Sequence, residues 1–360
     1  MSTLFPAMKL KRGEIEALRQ SERAVLEAIT PIFDIARPSS KTSIEKRLAD
    51  SLDLLHHGWP RISKEFYLDM RDLPLDCRLA NGAHPLYYFG RQLALHSHNV
   101  THCFGFDRDD AYEEALTRLL IENSSTNIAL RIEQQDMKLL DTTEELTKAV
   151  LQRFKRTVQS TTVFLDLQSI YGTTDELAQL ITRSYARFEK LGARKIVFLA
   201  SAMWDYSRIK PEQITEVPRI DIALWEQLRR QGLDIRYGDY GVVAPSFIDP
   251  EKIVIPAPKF RYCTPSKWLV AKGEKPRKDE NSQYPRLAKR LTNRPEFRAN
   301  DLGWGHDQIR DFASYALTRA DHARAVAIDT CSHLDITVKQ VLFAERQIAQ
   351  LLESPVQKVN

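Results

Sequence analysis

The stretch that decides the fold is TVFLDL at residues 162–167, a run of β-branched, aromatic and aliphatic residues that contains one acid, Asp166. Runs of this kind are typical of strands. Similar runs recur along the chain and predict strands at residues 5–10, 31–36, 65–70, 99–106, 127–132, 162–167, 195–201 and 233–237. They begin 26, 34, 34, 28, 35, 33 and 38 residues apart, about the length of one strand, one helix and two loops. The spacing predicts a βα unit repeated eight times.

The intervals carry apolar residues at helical spacing. They predict helices at residues 13–29, 42–55, 110–121, 143–158, 174–191 and 221–231. Eight such units fit either a doubly wound open sheet or a TIM barrel. A nucleotide-binding open sheet usually carries a G-x-G-x-x-G loop after an early strand, and this chain has neither that loop nor a P-loop. The near-even units therefore favour an α/β, TIM-barrel-like fold.

The regular alternation of predicted strands and helices ends after Tyr237. Two further strands are predicted at residues 252–264 and 266–271, followed by helices at residues 283–292, 306–318 and 335–352. We expect a βα barrel at residues 1–245 and a C-terminal α+β extension at residues 246–360 that packs on the barrel.

The composition is that of a globular protein, because 43% of the 360 residues are hydrophobic and 28% are charged. No stretch approaches the roughly 20 apolar residues that a membrane span needs, so we expect no membrane partner. The first residues have too short an apolar run for a signal peptide. Four scattered cysteines without a CxxC pair argue against a disulfide scaffold or structural zinc, and a cytoplasmic location is expected.

The formal net charge of +4 is too small to predict nucleic-acid binding over the whole surface. Residues 272–298, however, hold nine basic and four acidic residues, a local net charge of +5. This stretch is either a solvated linker and helix or a contact for phosphate or another polyanion.

Active sites of TIM barrels lie at the carboxyl ends of the strands. The polar residues near those predicted ends are Lys9, Lys11, Glu14, Asp34, Asp69, Arg71, Asp72, Asp107, Arg108, Arg131, Glu133, Asp166, Ser201, Asp239 and Tyr240. From this set the candidate catalytic residues are Asp34, Asp69, Asp166 and Asp239. The candidate ligand-binding residues are Lys11, Glu14 and Arg131. Such a set could bind a divalent metal and a phosphate, or orient a polar substrate for acid–base chemistry. It could equally be a buried salt-bridge network with a structural role.

Other chemistries have weaker support. His96, His98 and His102 would share a face if their segment were extended, but their spacing matches no zinc motif. The chain has no G-x-S-x-G elbow, and Cys103 beside His102 does not make a catalytic pair, because neighbours in a strand point to opposite faces.

Several segments, taken in order, resemble the beta protein family, which is named for a bacteriophage protein and occurs widely in bacteria. They span nearly the whole chain and are FPAMKLKRGEIEAL (5–18), TPIFDIA (30–36), FYLDMRDL (66–73), VFLDLQSI (163–170), YGDYGVVAP (237–245), KFRYCTPSKWLVAKGEK (259–275), GWGHDQIRDFA (303–313) and IDTCSHLDITV (328–338). The resemblance adds Arg261 and His333 to the ligand-binding candidates. The chain departs from the family pattern with Asp34 in place of Glu, with His306 inserted before Asp307, and with Ser332 in place of the first His of a pair.

The resemblance supplies no reaction, but it implies a setting in phage defence or phage–host conflict. Two hypotheses remain open. The first is an enzyme, with a hydrolase as the candidate type, that acts on a phosphate-containing substrate such as a nucleotide or nucleic acid. A divalent metal is its candidate cofactor. The second is a non-catalytic subunit that binds a ligand or a protein partner of a defence or phage system.

Overall fold

The computed structural model describes residues 3–59, 65–202, 209–245, 256–275, 283–298 and 303–353. Eight parallel strands form its barrel: β1 (Leu4–Lys9), β2 (Ile32–Asp34), β3 (Phe66–Asp69), β4 (Val100–Phe104), β5 (Asn127–Glu133), β6 (Thr162–Ser169), β7 (Lys195–Ser201) and β9 (Arg236–Asp239). Each strand pairs with the next, and β9 pairs with both β7 and β1, which closes the barrel. The predicted TIM-barrel-like fold is confirmed. A separate sheet contains β8 (Ile214–Pro218), β10 (Lys259–Cys263) and β11 (Lys267–Lys272).

Helices follow the barrel strands and cover the outside of the barrel. They are α1 (Arg12–Gln20), α2 (Arg23–Ala28), α3 (Ile44–Gly58), α4 (Pro85–Leu95), α5 (Asp110–Glu122), α6 (Gln134–Lys138), α7 (Leu140–Arg153), α8 (Asp175–Lys190) and α9 (Ile220–Arg230). Side-chain caps fix some of the starts: the Ser43 hydroxyl accepts a hydrogen bond from the Lys46 amide, and the Asp109 carboxylate accepts one from Tyr112. The apolar faces of these helices and the outward residues of the strands form one large core.

The interior of the barrel changes character from bottom to top. Its lower part is an apolar cluster that includes Ala7, Ile32, Tyr67, Ala129 and Phe164. Side chains of a strand alternate between faces, so the residue two positions further along also points inward. For these five strands the next inward residues are Lys9, Asp34, Asp69, Arg131 and Asp166. The strand periodicity therefore stacks a charged layer on the apolar interior, at the carboxyl end of the barrel.

The C-terminal extension packs against the first strand and helix of the barrel. Its antiparallel sheet has the order β10-β11-β8, and its helices are α10 (Gln283–Thr292), α11 (Pro295–Arg298), α12 (Trp304–Ala313) and α13 (His322–Glu353). The 32 residues of α13 run about 48 Å and contact both α1 and α12. The helices approach closely because Gly13 and Gly305 have no side chain. A Cβ at residue 13 would lie 2.7 Å from the Ala323 carbonyl oxygen, and one at residue 305 would lie 2.5 Å from the Ile328 carbonyl oxygen.

Most predicted elements are present, and the hairpin predicted in the extension is formed by β10 and β11. Residues 252–255 of the first predicted extension strand lie outside the described residues. The eighth barrel strand begins at Arg236, three residues later than predicted. The single helix expected at residues 13–29 is two helices, because Ser21 ends α1 in an extended conformation.

Helices α4, α6 and α11 and strand β8 were absent from the sequence analysis, and α13 was predicted too short. Helix α4 was missed although Pro85 stands at the first turn and the His84 ring caps the Leu86 amide. Helix α13 begins 13 residues before the predicted position; its first part is buried on nearly every side, so it lacks the amphipathic period that marks a helix. Strand β8 lies in the β7–α9 connection and pairs with β11.

The division at residues 245 and 246 stays a prediction. Strand β8 comes before that boundary and contributes to the sheet of the extension, so the two parts share chain segments. Within the described ranges, no helix has both the length and the apolar character needed to cross a membrane.

Candidate functional site

The centre of the charged layer is Arg131, from β5. Its guanidinium lies at hydrogen-bond distance from carboxylates of three different strands: Nη1 is 2.9 Å from both Asp34 and Asp69, and Nε is 2.8 Å from Asp166. Nη2 donates to the Tyr240 hydroxyl at 2.8 Å, and that hydroxyl donates to Asp166 at 2.5 Å. All five side chains are nearly inaccessible. Every nitrogen of Arg131 therefore has a partner in the protein, and we call this group the mouth network.

Three further cations lie next to the mouth network: Lys9 and Arg108, and Arg71 at its rim. Lys9 lies 3.0 Å from Asp34 and 2.7 Å from Asp72. Arg108 donates from Nη2 to both oxygens of Asp69, at 2.8 and 3.0 Å. Each of the carboxylates of Asp34 and Asp69 is therefore paired with two cations.

Arg71 connects the network to the rim of the mouth. Its Nη1 lies 3.3 Å from Asp166 and 3.2 Å from the Tyr240 hydroxyl, and its Nη2 lies 2.7 Å from Glu133. The side chains of Arg71 and Glu133 are 10% and 14% exposed, against 1% or less for Arg131 and Asp166. The rim pair is therefore the part of the network that solvent reaches.

The surroundings divide the carboxyl groups into two kinds. Burial alone would raise the pKa of Asp69, but the charges of Arg108 and Arg131 outweigh it and lower that pKa; Lys9 and Arg131 do the same for Asp34. Burial raises the pKa of Asp72, with the Asp34 carboxylate adding to it, and burial raises that of Glu133. Asp34 and Asp69 are held as carboxylates, whereas Asp72 and Glu133 are the groups in this layer that take up a proton more readily.

The strand-end aspartates are oriented by a shared local turn. In two of them the backbone amide two residues later donates to the carboxylate: Arg71 to Asp69 at 3.0 Å, and Gln168 to Asp166 at 2.8 Å. In β6 this turn coincides with a register shift against β7, and Gln168 has a φ of 55°. A left-handed conformation is costly for a residue with a side chain, so local strain lies directly beside the mouth network.

Asp239 makes the same turn but belongs to a different group, which we call the seam network. It accepts a hydrogen bond from the Gly241 amide at 3.0 Å and lies 3.0 Å from Nε2 of His333 on α13. The other ring nitrogen of His333 is 3.2 Å from the Thr337 hydroxyl. Arg219 lies 3.7 Å from Asp239, and the Trp268 ring stacks on His333 with centroids 4.9 Å apart. The seam network joins β9 to α13 and the second sheet.

The state of His333 follows from this arrangement. Burial would lower its pKa, but the facing Asp239 carboxylate outweighs burial and raises the pKa of His333 to about 9. The raised pKa favours the protonated ring near pH 7, and both ring nitrogens have partners within the protein.

The remaining predicted ligand-binding residues lie between the barrel and the extension. Arg261, on β10, donates to Asp329 at 2.7 Å and to the Val242 carbonyl at 2.6 Å. Glu14 is buried at the start of α1, which raises its pKa although Lys11 and Arg261 oppose the effect. Lys11 itself is exposed. These residues lie near one another but not in the mouth network.

Sequence reasoning found the core of the mouth network and missed part of its rim. Asp34, Asp69, Asp166 and Arg131 meet as expected, whereas Asp239 and His333 form the seam network. The strand-end polar residues also included members and neighbours of the network that were not selected: Lys9, Arg71, Asp72, Arg108, Glu133 and Tyr240. The two-residue period was a usable signal, since it places Glu133 on the same face as Arg131 and Lys9 above Ala7.

Two expectations about cations and metals can be compared with the structure. In the basic stretch at residues 272–298, Arg286 and Arg290 pair with Glu212, and Arg294 pairs with Glu216, so part of its charge is offset within the protein. His96, His98 and His102 do not share an extended segment, because His96 ends α4 and His102 lies within β4. Among the described residues, no group of three or more His, Cys, Asp or Glu side chains is arranged to hold a metal ion.

The closed eight-stranded barrel with a charged layer at its carboxyl end defines a TIM-barrel protein. The family model for Beta protein matches residues 5–339. The chain therefore belongs to the Beta protein family, and the resemblance found in its sequence is confirmed.

Comparison with curated proteins finds no match. Among solved structures, the chain is similar to a mandelate racemase/muconate lactonizing protein from Herpetosiphon aurantiacus, with 12% identity and a TM-score of 0.35. The alignment covers 74% of this chain and 62% of that one.

Proposed function

We propose that the protein is an enzyme, of the hydrolase type, whose mouth network receives a phosphate-containing substrate such as a nucleotide or nucleic acid. The observation that carries the proposal is the charged layer itself. At the carboxyl end of the barrel, where active sites of TIM barrels lie, this protein buries Arg131 among three carboxylates and adds Lys9, Arg71 and Arg108. Burying ion pairs seldom adds stability over apolar packing, so stability alone gives little reason for the layer.

The rim residues have the chemistry that phosphate-ester cleavage needs. The Arg71 guanidinium is planar, permanently charged and suited to bidentate contact with phosphate. In hydrolysis, a bond forms between a water oxygen and phosphorus while the bond from phosphorus to the leaving oxygen breaks. Glu133, protonated more readily than an ordinary glutamate, would give its proton to that leaving oxygen, and Asp72 would accept a proton from the water.

In this proposal the predicted catalytic residues Asp34, Asp69 and Asp166 have a positioning role. Their oxygens are occupied by Arg131, Lys9, Arg71 and Arg108, so they hold these cations in place. This differs from the metal-binding role considered in the sequence analysis, because a divalent ion would have to displace the cations.

A substitution at Glu133 tests the proposal directly. Glu133→Gln keeps an oxygen for Arg71 but removes the proton donor, so turnover of a short single-stranded DNA, whose leaving oxygen must be protonated, should fall by about two orders of magnitude or more. Thermal unfolding should change little. The matched control is Glu65→Gln, at the other end of the barrel, where Glu65 accepts a hydrogen bond from Thr101. Equal turnover in the wild type and Glu133→Gln would show that Glu133 takes no part in the reaction.

The alternative is a non-catalytic subunit that binds a ligand or partner at the mouth, in the phage-related setting that the family name implies. The observation favouring it is that the inner carboxylates and Arg131 are already fully paired with one another. Inorganic phosphate, AMP and a short single-stranded DNA are suitable probes in thermal-shift measurements, since a ligand of the native state raises Tm. A shift that Arg71→Ala abolishes, without turnover of any phosphate ester, would favour this alternative over the enzyme.

A further inference from the structure

A cavity of about 350 Å³ lies between α4 and α5, away from the mouth network. Part of its lining comes from the loops that lead into two strands: His98 and Asn99 precede β4, and Ser125 and Thr126 precede β5. Loops of this kind lie at the amino ends of the strands, opposite the carboxyl ends where the mouth network sits. The cavity is therefore separate from the proposed active site, and the inference drawn from it does not depend on that proposal.

Two histidines supply the polar edge of the cavity. Cys103 points into the barrel, so its neighbour His102 points out toward the helices. His102 is 2% exposed and its Nδ1 has no hydrogen-bond partner among the described residues; Nε2 of His98 is in the same situation. A buried polar atom without a partner costs folding free energy. A bound molecule that pairs with these imidazoles would recover that cost.

The cavity carries no net charge. At its rim Arg91 Nε lies 3.6 Å from Glu122 Oε2, so these two residues offset each other. Burial lowers the pKa of His102 to about 4 and lowers that of His98, so both rings are neutral near pH 7. A charged ligand would lose its hydration here without gaining an unpaired counter-charge. The surroundings favour an uncharged ligand.

The lining of the cavity also includes apolar side chains, and a glycine keeps the space between them open. Leu95, Val100 and Leu119 line the cavity beside the imidazoles. Gly90 stands in the middle of α4, where glycine costs helix stability. A Cβ at this position would lie 2.5 Å from Leu119 Cδ1 and 3.3 Å from His102 Cε1. Any side chain at residue 90 would press on both and narrow the space.

We propose that this cavity binds an uncharged nitrogen heterocycle of nucleobase or nucleoside size, with His98 and His102 pairing to its polar edge. A neutral imidazole offers one donor and one acceptor, which matches the mixed edge of such a ring. Leu95 and Leu119 cover its faces, and the cavity volume lies within the range of small-molecule sites.

Calorimetric titration of the full chain with the four ribonucleosides and their 5′-monophosphates tests the proposal. At least one nucleoside should bind saturably, and its monophosphate should bind no more tightly. If no nucleoside binds, or if the monophosphate is preferred at this site, the proposal is wrong. Binding at the mouth is recognised separately, because it survives His102→Phe and weakens in Arg71→Ala.

Two variants locate the binding. His102→Phe keeps a ring but removes both nitrogens, so nucleoside affinity should fall about tenfold while the Tm of the ligand-free protein stays level or rises. A histidine needed only for structure would instead lower Tm and leave the affinity unchanged. Ala94→Phe should obstruct the cavity, and the matched control Ala24→Phe, on the exposed face of α2, should not. Equal affinity in all of these proteins would overturn the assignment.

Discussion

The mouth network and the seam network use the same groups in different surroundings. Each places an arginine and a tyrosine beside strand-end aspartates that are fixed by an amide two residues later. The mouth network extends to partly exposed Arg71 and Glu133, where protons and ligands can enter. The seam network is covered by Trp268 and α13, and its charged groups are at most 3% exposed. The seam network joins two parts of the fold, and the exposure of the rim is what the site proposed at the mouth network requires.

The largest expected effect comes from removing the arginine that both hypotheses for the mouth require. Arg131→Met leaves Asp34, Asp69 and Asp166 close together without their shared cation, and breaking a buried pair in this way costs about 3–5 kcal/mol. Denaturant unfolding should show this loss. Arg71→Met, at the rim where water can replace the guanidinium, should cost clearly less. Similar losses for the two variants would show that the rim is as tightly integrated as the centre.

The seam network should be distinguishable by its response to alkaline pH. The pKa of His333 is raised to about 9 in the folded protein, above the ordinary value of 6.5. Its stabilising contribution is therefore complete below pH 6.5 and is lost as the pH rises toward and through 9. The loss is of the order of 3 kcal/mol. The free energy of unfolding of the wild type should fall across that range relative to His333→Gln, which keeps a donor but does not titrate.

The mouth carboxylates have the opposite dependence. The folded-state pKa values of Asp34 and Asp69 are lowered, so their contribution is present above their ordinary pKa of 3.8 and is lost as the pH falls through the folded-state values. Replacing His333 should leave this acid-side loss in place. If His333→Gln also removed it, the two networks would be coupled and the comparison between them would fail.

The sequence allowed the barrel and the centre of the mouth network to be predicted because both follow from one local rule. Strand-like runs at near-even spacing predict the eight units, and the acids near their ends point to Asp34, Asp69 and Asp166. We expected Asp239 in the same site, but it lies in the seam network. Its turn resembles that of Asp166, and α13 brings His333 to it from 94 residues away. No local pattern records such a contact.

The shortened prediction of α13 and the missed strand β8 have a related cause. The first part of α13 is buried against α1 and α12 together, so its apolar residues lie on nearly every side and show no helical period. The β8 strand is short and partly exposed, and its identity depends on pairing with β11. In both cases tertiary packing, rather than local sequence, decides the structure.

The smallest effects concern the turns that fix Asp166 and Asp239. Substitutions at Gln168 and Gly241 compare the backbone strain of the two turns. Gln168 and Gly241 have nearly equal φ values, 55° and 54°, and their amides make equivalent bonds. Gln168→Gly should relieve backbone strain and raise the free energy of unfolding by up to about 1 kcal/mol. Gly241→Ala should lower it by about 1–2 kcal/mol through strain, since the new Cβ would make only ordinary contact with His333 at 3.4 Å.

Gln168→Ala keeps the strain and serves as the control. If it stabilises the protein as much as Gln168→Gly does, the side chain rather than the backbone accounts for the effect. A strained residue retained beside the mouth and a glycine used at the seam are what a functional and a structural network would each require.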